Sequence, residues 1–523
     1  MTLHRMKRKT KRKRVRAMNE KINGDFSYCS VRKSGSDVSG EYILPDSFPD
    51  VRNLLYVGAS VGEIKKYFSA NEAELSGKLT YRVLFTCMRD GTESLESVCF
   101  EDDFKTSVKC DMNESGNTCV SLRSGGASGR MANPRKFALR CALELTLCEE
   151  KTQSALVDVN PDDETAQVRC RKLDVLSASS AELYEHSFSD NAELDVNMPE
   201  IEKLVFSEAL LNIDNSGEGE AFRLGGTLAL CCVYADKEGN YHGINRDIPY
   251  TVTLNDDELE LIGDTGDIVS VTAEPAVTAF NIEVGKNRYD ESKQLEIDID
   301  YDIDLLILRK KGISVITDAY DTAHNDNPKY EKLELEVPCG RLKNNFTYTE
   351  SCNFADGELI GCFGVALSSP TIVHSEGNTA VESRLSAALI FADNEGIHSR
   401  ALTLPTSFRL GGGSEYADKE AVGSAIPKKL RMRADSGKLY AECEVCFDAA
   451  AVKSEKLDCC RKLEVGSELG EAEKSILSVF YPTGSETLWD AAKAMRVPLA
   501  SIIGADAENG VDSLLAKPVI SER

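Results

Sequence analysis

Hydrophobic side chains recur at every second position along much of this chain. The pattern is clearest in three segments that align without gaps and end on an aromatic residue: ELSGKLTYRVLF (74–85), RLGGTLALCCVY (223–234) and ESRLSAALIF (382–391). A period of two is the signature of a β-strand that buries one of its faces. The three segments therefore predict three equivalent strands, whose aromatic ends lie about 150 residues apart.

Each predicted strand runs into a turn that is rich in acidic residues and glycine, with the sequences MRDGTE, ADKEGN and ADNEG. Aspartate and glycine supply the left-handed backbone that a hairpin turn requires, and the return strands SLESVCF, GINRDIPY and HSRALTLP follow. A repeat of this length is too long for a solenoid and is typical of tandem domains. The chain is therefore expected to contain three homologous domains built on hairpins.

The most regular strand pattern, QLEIDIDYDIDLLIL, begins at Gln294 and separates apolar from acidic positions. One face carries Leu295, Ile297, Ile299, Tyr301 and Ile303, and the other carries Glu296, Asp298, Asp300, Asp302 and Asp304. The acidic row is compatible with a cation site, but adjacent carboxylates repel one another unless the residues across from them are basic. The favoured interpretation is a solvent-exposed face of an antiparallel sheet.

These patterns predict a mainly β protein, with three tandem antiparallel β-rich domains of sandwich-like architecture and a small C-terminal α+β module. The expected limits are a basic disordered tail at 1–24, β-rich domains at 25–175, 176–326 and 327–466, and the module at 472–523.

Charge is distributed unevenly along the chain, whose formal net charge is −25. Residues 1–17, MTLHRMKRKTKRKRVRA, contain nine lysines and arginines and no acidic residue. The acidic remainder repels phosphate, so no nucleic-acid partner is expected, although the tail alone can attract an anionic surface. Two interpretations of the tail stay open: a disordered leader, or a start site placed too early, with Met18 as the true initiator.

Seventeen cysteines occur in a chain that lacks the apolar core of a secretory signal. This combination predicts free thiols in a reducing compartment instead of a disulfide framework. The CxxC pair Cys443 and Cys446 lies in an alternating pattern that directs the two thiols to opposite faces of a strand, and no second ligand pair has a suitable spacing. No metal site or cofactor is therefore predicted. A membrane span is not predicted either, because the chain contains no run of about 18 apolar residues.

The segment EYILPDSFPDVRNLLYVGASVGEI, residues 41–64, resembles an uncharacterised domain family. That family occurs in tandem in spore coat and cortex morphogenetic proteins of endospore-forming bacteria. The phrase ILPDSFPDV carries most of the resemblance, and MPEIEKL, residues 198–204, is its weaker counterpart in the second repeat. The resemblance implies β-rich interaction modules without known catalytic residues.

The stretch SVFYPTGSETLWDAAKAMRVPLASIIGAD, residues 478–506, resembles the lysin motif (LysM), a βααβ module. The resemblance places Leu488, Trp489 and Ile502 in the core of the module, with Trp489 as a core residue and not a sugar platform. In glycan-binding members two loops wall a groove for N-acetylglucosamine, and the matching residues are Gly484, Ser485, Glu486, Thr487, Ile503 and Gly504. The first loop is one residue longer than the glycine–aspartate–threonine pattern of the family. This departure favours docking onto a protein over binding a sugar.

Together the resemblances imply a non-enzymatic scaffold of the bacterial spore envelope, with other spore coat morphogenetic proteins as partners. Such a protein is made in the mother-cell cytoplasm and assembled at the forespore surface without export. The alternative is a protein of the cell wall or cortex that binds peptidoglycan or N-acetylglucosamine oligomers. An enzyme is not expected, because the six histidines form no HExxH pattern and no GxSxG or phosphate-binding glycine loop occurs.

Overall fold

The computed structural model of the chain consists mainly of antiparallel β-strands, as the alternating pattern predicts. It describes residues 26–69, 71–110, 118–153, 165–215, 222–354, 357–375, 378–410, 416, 418–470, 477–503, 514–515 and 517–522. Within these residues the strands form seven sheets. They fall into three successive groups, called here the first, second and third units, which are followed by a C-terminal module.

The first unit consists of two three-stranded sheets that contribute to one hydrophobic core. Its strands are β1 (Phe26–Ile43), β2 (Val51–Ser69), β3 (Glu72–Arg89), β4 (Thr92–Lys109), β5 (Thr118–Asn133) and β6 (Lys136–Gln153). The strand orders are β1-β6-β5 and β2-β3-β4. Tyr81 from one sheet and Phe137 from the other are fully buried in this core. The core forms because every second side chain of each sheet points into the space that the two sheets share.

The second unit repeats this arrangement. Its strands are β7 (Ala166–Glu193), β8 (Lys203–Asn215), β9 (Leu224–Ala235), β10 (Tyr241–Thr251), β11 (Ile268–Gly285) and β12 (Gln294–Asp321). The strand orders are β11-β12-β7 and β10-β9-β8. A short helix, α1 (Asp256–Ile262), precedes β11 and begins at the capping box of Asn255 and Glu258. All five apolar residues predicted for β12, from Leu295 to Ile303, are buried in the core of this unit.

The third unit has the same order with one added strand. Its strands are β13 (His324–Asn353), β14 (Glu358–Leu367), β15 (Thr371–Ser375), β16 (Asn378–Asp393), β17 (Gly396–Arg409), β18 (Glu420–Asp435) and β19 (Lys438–Glu468). One sheet has the order β13-β19-β18. In the other, β14 and β15 pair with β16, which also pairs with β17.

The three segments aligned in the sequence contribute equivalent strands, since β3, β9 and β16 are the central strands of their sheets. Each pairs with the following strand, which confirms the predicted hairpins. The predicted limits at 175 and 326 fall inside β7 and β13, because these strands start before the regions that the repeats align. The strand groups change between 153 and 166 and between 321 and 324. The division into independent domains stays a prediction.

Two apolar clusters join the three units. The first contains a bulged position from each unit, Leu55, Val205 and Ile360, and a central-strand residue from each unit, Leu84, Val233 and Ile390. The second joins Cys148 of the first unit, Leu306 of the second and Ala450 of the third. In the first cluster, matching positions of the three repeats meet. The three units therefore contact one another through equivalent parts of the repeat.

Long two-stranded antiparallel ribbons extend from the second and third units. Strands β7 and β12 pair as far as Ala166 and Asp321, and strands β13 and β19 pair as far as His324 and Glu468. The extensions pack on each other through a cluster that includes Val315 and Leu335, together with Phe26 of β1. This ribbon structure, here called the stem, provides the base for the C-terminal module.

The C-terminal module is a small α+β structure. It contains β20 (Leu477–Phe480), α2 (Leu488–Met495), a 3₁₀ turn (Leu499–Ser501), β21 (Ile502–Ile503) and β22 (Val519–Glu522). The sheet order is β20-β22-β21, and both pairings are antiparallel. At the place of the second helix of the expected βααβ order, the described residues form a 3₁₀ turn that begins after Pro498, and residues 504–513 lie outside the described part of the chain.

All seventeen cysteines lie within the described residues, and none forms a disulfide. Most are buried in strands, where they pack as small apolar side chains. Cys443 lies in the core of the third unit, whereas the Cys446 thiol donates to Asp214 Oδ2 at 3.5 Å. The two thiols of the CxxC pair therefore occupy opposite faces of β19, as the alternation predicts.

Candidate functional site

Helix α2 organises the C-terminal module, and Thr487 caps its start. The Thr487 hydroxyl accepts a hydrogen bond from the Asp490 amide at 3.3 Å, and the Asp490 carboxylate accepts one from the Thr487 amide at 2.8 Å. This reciprocal capping box satisfies two backbone donors that a helix start leaves free. The helix ends at Arg496, whose backbone is left-handed with φ of 52°.

The residues predicted to hold the module together are buried. Leu488, Trp489 and Ile502 are 4%, 1% and 7% exposed and belong to one apolar cluster. The Trp489 ring meets the Tyr320 ring edge-on, with 5.0 Å between the centroids. Because Tyr320 belongs to β12, the core of the module is completed by the stem and is not self-contained.

A polar network beneath Trp489 is centred on Asp318 of the stem. The Trp489 Nε1 donates to Asp318 Oδ2 at 2.8 Å, the Lys493 ammonium donates to both carboxylate oxygens at 2.7 and 2.8 Å, and the Tyr330 hydroxyl donates at 2.6 Å. Burial alone would raise the pKa of Asp318, but these hydrogen bonds hold it below its ordinary value. No sequence pattern indicates this anchor, because Asp318 lies 171 residues from Trp489.

Further contacts fix the module at the same place. The Tyr320 hydroxyl donates to the Val497 carbonyl at 2.8 Å, and Arg496 donates to the Asp321 carbonyl at 3.1 Å and forms an ion pair with Asp326. One face of α2 is therefore covered by the stem of the same chain. The loop before α2 and the outer face of the small sheet are left exposed.

The loop predicted as the first groove wall is closed by its own carboxylate. Glu486 accepts hydrogen bonds from the amides of Thr483, Gly484 and Ser485 at 2.8, 3.0 and 3.2 Å, and from the Thr483 hydroxyl. The hydrogen bonds from Thr483 lead the causes that lower the pKa of Glu486 to about 2. Gly484 has φ of 125°, a conformation that favours glycine. The extra residue of the loop thus lets a carboxylate bind the backbone donors of the loop.

The predicted second wall is described only in part. Ile503 lies on β21 and is 59% exposed, whereas Gly504 lies outside the described residues. Ile503 pairs with Ile520, and Ile520 pairs with Val479 on the other side. These three side chains share the outer face of the sheet with Leu477, and Tyr481 follows β20 at 72% exposure. The module therefore presents an apolar sheet face beside the closed loop.

A cavity of about 1010 Å³ lies where the units meet, and Glu208 of β8 lines it. The Glu208 carboxylate accepts from the Tyr56 hydroxyl at 2.9 and 3.0 Å and from the Gly364 amide at 3.1 Å. Burial raises the pKa of Glu208, although these hydrogen bonds oppose the shift. The three residues come from the second, first and third units, so one buried carboxylate ties all three together. The available sequence signal was that Glu208 is the single acidic residue in the largely apolar stretch VFSEALLNI, residues 205–213.

The acidic row of β12 is only partly the exposed face that the sequence predicts. Glu296, Asp298 and Asp300 are exposed, but Asp304 is 7% exposed. Lys66 of the first unit pairs with Asp304 at 2.6 Å and with Glu182 at 3.2 Å. The prediction is therefore wrong for Asp304, because the first unit packs over this end of the strand and supplies its counter-charge.

No protein-family model, no curated protein and no solved structure matches this chain. In the described part of the chain, no group of three or more histidine, cysteine, aspartate or glutamate side chains has a geometry that could hold a metal ion. None of the helices in that part reaches the length and hydropathy of a membrane span.

Proposed function

We propose that the protein is a non-enzymatic scaffold of the bacterial spore envelope. In this proposal its three units are β-sandwich domains, and its C-terminal module is a LysM-like domain that docks onto spore coat morphogenetic proteins. The chain is made in the mother-cell cytoplasm and assembled at the forespore surface. The proposal rests on the sequence resemblances and on three features of the geometry.

The main support for a protein partner over a sugar is that Glu486 closes the loop before α2. In the glycan-binding members that the module resembles, backbone groups of this loop face the sugar. Here the amides of Thr483, Gly484 and Ser485 already donate to Glu486. A sugar would have to displace a carboxylate that accepts several hydrogen bonds, and charged acceptors form the stronger ones. This cost disfavours a glycan at the first wall.

The apolar sheet face of the module supports docking onto a protein. Val479, Ile503 and Ile520 lie side by side and are 43%, 59% and 41% exposed. Contiguous exposed apolar groups rimmed by polar residues are typical of protein contact sites. The network of Asp318 holds the module in one orientation on the stem, so this face has a defined direction.

The alternative function is binding of peptidoglycan or N-acetylglucosamine oligomers. One observation favours it: Tyr481, directly before the closed loop, is 72% exposed and offers an aromatic ring to a ligand. Glycan binding would then use the aromatic ring and the second wall, and the first wall would contribute little.

A double variant of the full chain separates the two functions. Val479→Glu with Ile520→Glu places charges on the sheet face, and Val196→Glu with Leu261→Glu is the matched control at positions that are 95% and 63% exposed. In sporulating cells we expect the first pair to abolish co-purification of coat proteins and forespore localisation, while the control retains both. Retention of peptidoglycan by the wild-type chain, lost in Tyr481→Ala, would replace the scaffold proposal with the alternative.

A further inference from the structure

The outer face of the β7-β12-β11 sheet concentrates negative charge. Glu296, Asp298 and Asp300 are exposed on β12, and Asp302 of the same row is half-buried. Glu283 of β11 lies opposite Glu296 and is also exposed. We call these five residues the acidic face.

The acidic face receives no positive charge from the strands beside it. Among the described neighbours, Asp298 lies between Asn281 and Ser189, and Asp300 lies between Ala279 and Ser187. Glu296 lies between Glu283 and Asn191. Like charges opposite one another destabilise a sheet. The Ser189 hydroxyl donates to Asp298 at 2.7 Å, but Glu283 and Glu296 repel each other across the strands, and a basic partner would relieve this repulsion.

The inner end of the same row shows how a basic partner binds. Lys66 comes from the first unit, lies 9% exposed, and pairs with Asp304 at 2.6 Å. A second oxygen of this carboxylate, Asp304 Oδ2, is buried without a hydrogen-bond partner. The acidic face is thus continuous with an interface that already seats one lysine on this strand.

The basic tail of the chain has the spacing that this face requires. Lys7, Lys9, Lys11 and Lys13 occur at every second position, as do Glu296, Asp298, Asp300 and Asp302. In an extended segment, residues two apart are separated by roughly 6.6 Å, so both rows have the same repeat. The arginines do not form an unbroken row of this kind, because Thr10 stands between Arg8 and Arg12.

We propose that residues 1–17 of one copy bind in extended form along the acidic face of another copy. The tail joins the fold at Phe26, which packs with Ile313 of β12, about 36 Å along the strand from Asp302. The first unit covers the strand between these points, through Lys66 and the cluster around Cys148. From Lys13 to Phe26 the chain spans at most about 45 Å, so its own tail would need nearly full extension around that unit.

In this contact one surface of a copy binds a different surface of another copy. Two copies can exchange tails to form a closed dimer, and where the contact does not close it continues into larger assemblies. The inference deepens the scaffold function and, as a statement about envelope assembly, rests on that proposal.

Sedimentation velocity of the full chain provides the first measurement. We expect concentration-dependent oligomers at about 50 mM salt and monomers at about 500 mM, because exposed charge pairs are screened. A chain that begins at Met18 should be monomeric at both. Glu296→Gln with Asp298→Asn and Asp300→Asn should weaken self-association about tenfold, the size expected for three exposed ion pairs.

Mixing two assembly-deficient chains tests the direction of the contact. The chain from Met18 retains the face and lacks the tail, and the triple face variant retains the tail. At a concentration between the dissociation constant of the full chain and the roughly tenfold higher one of the triple variant, each should be monomeric alone, and a mixture should form one-to-one dimers that grow no further. If the full chain stays monomeric while a peptide of residues 1–17 binds only the chain from Met18, the tail occupies its own face and the proposal is wrong.

Two controls exclude a general charge effect. Asp256→Asn with Asp257→Asn and Glu260→Gln removes three exposed acids from the same unit and should leave assembly unchanged. Replacing Lys7, Lys9, Lys11 and Lys13 with serine should weaken assembly more than replacing Arg8, Arg12, Arg14 and Arg16; equal effects would overturn the extended register. If the full chain does not assemble in vitro but still localises to the coat, this inference alone is refuted; if the full chain assembles but does not localise, the scaffold function alone is refuted.

Discussion

Replacement of Trp489 by alanine tests whether the C-terminal module depends on its anchor to the stem. Trp489 is 1% exposed, its ring meets Tyr320 at 5.0 Å between centroids, and its Nε1 donates to Asp318. The substitution removes the largest buried side chain of the module and its direct hydrogen bond to the stem. Lys493 and Tyr330 continue to pair with Asp318, so no buried charge is left alone.

The expected cost is comparable to the whole stability of the module. Truncation of a buried tryptophan to alanine costs about 3–5 kcal/mol. A segment of about 46 residues has a stability on the order of 2–7 kcal/mol in total. We therefore expect the module to unfold locally, while the three units stay folded because their cores lie elsewhere.

Hydrogen exchange resolved by mass spectrometry measures this outcome. Amides of α2 and β22 should lose protection in Trp489→Ala, and amides of β3, β9 and β16 should keep it. Trp489→Phe retains an aromatic contact but loses the hydrogen bond to the carboxylate, and it should cost roughly 1.5–3 kcal/mol. Tyr481→Ala, at a residue that is 72% exposed, should change stability by less than about 0.5 kcal/mol. Unchanged protection of α2 in Trp489→Ala, or loss of protection throughout the units, would show that the module does not depend on its anchor to the stem in this way.

Changes of pH, of the loop before α2, of the Gly364 contact and of the thiols provide four further tests. The pKa of Asp318 is lowered in the folded chain, so its ionised carboxylate stabilises the fold fully at pH values above its unfolded pKa of about 3.9. This stabilisation is lost as the pH falls through the folded pKa. Protection of the α2 amides should therefore decline below about pH 4 in the natural chain, and Asp318→Asn should not show this decline. Glu486→Ala frees three loop amides, and calorimetry with N-acetylglucosamine oligomers should show a gain of binding; no gain would mean that the carboxylate is not what closes the loop. Gly364→Ala should lower the melting temperature, because φ is 61° and the added Cβ would lie 2.6 Å from the Tyr56 hydroxyl; Gly91→Ala, with φ of 82° and open space, is the control for backbone strain alone. Thiol titration in denaturant without reductant should count seventeen thiols, and a deficit of several pairs would contradict the unbonded cysteines of the structure.

The local structure could be predicted from the sequence because it depends on neighbouring residues. A period of two places alternate side chains on one face, so the strands around Phe85, Tyr234 and Phe391 and their return strands follow from the pattern. The capping of α2 is a local contact of the same kind, since the Asp490 amide and the Thr487 hydroxyl that accepts its hydrogen bond are three residues apart. The repeat of these local units also indicated three equivalent parts.

Long-range pairing could not be predicted, because periodicity says which face is buried and not what covers it. Lys66 is 238 residues from Asp304, and the sequence alone assigned Asp304 to solvent. Glu208 and Gly364 are 156 residues apart, and Trp489 finds its acceptor 171 residues away. Only the packing of the units and the stem brings these groups within hydrogen-bond distance. The same packing removes water from these groups, and in a dry environment each buried polar group needs a particular partner. Which surfaces come together in this way is not encoded in any local sequence pattern.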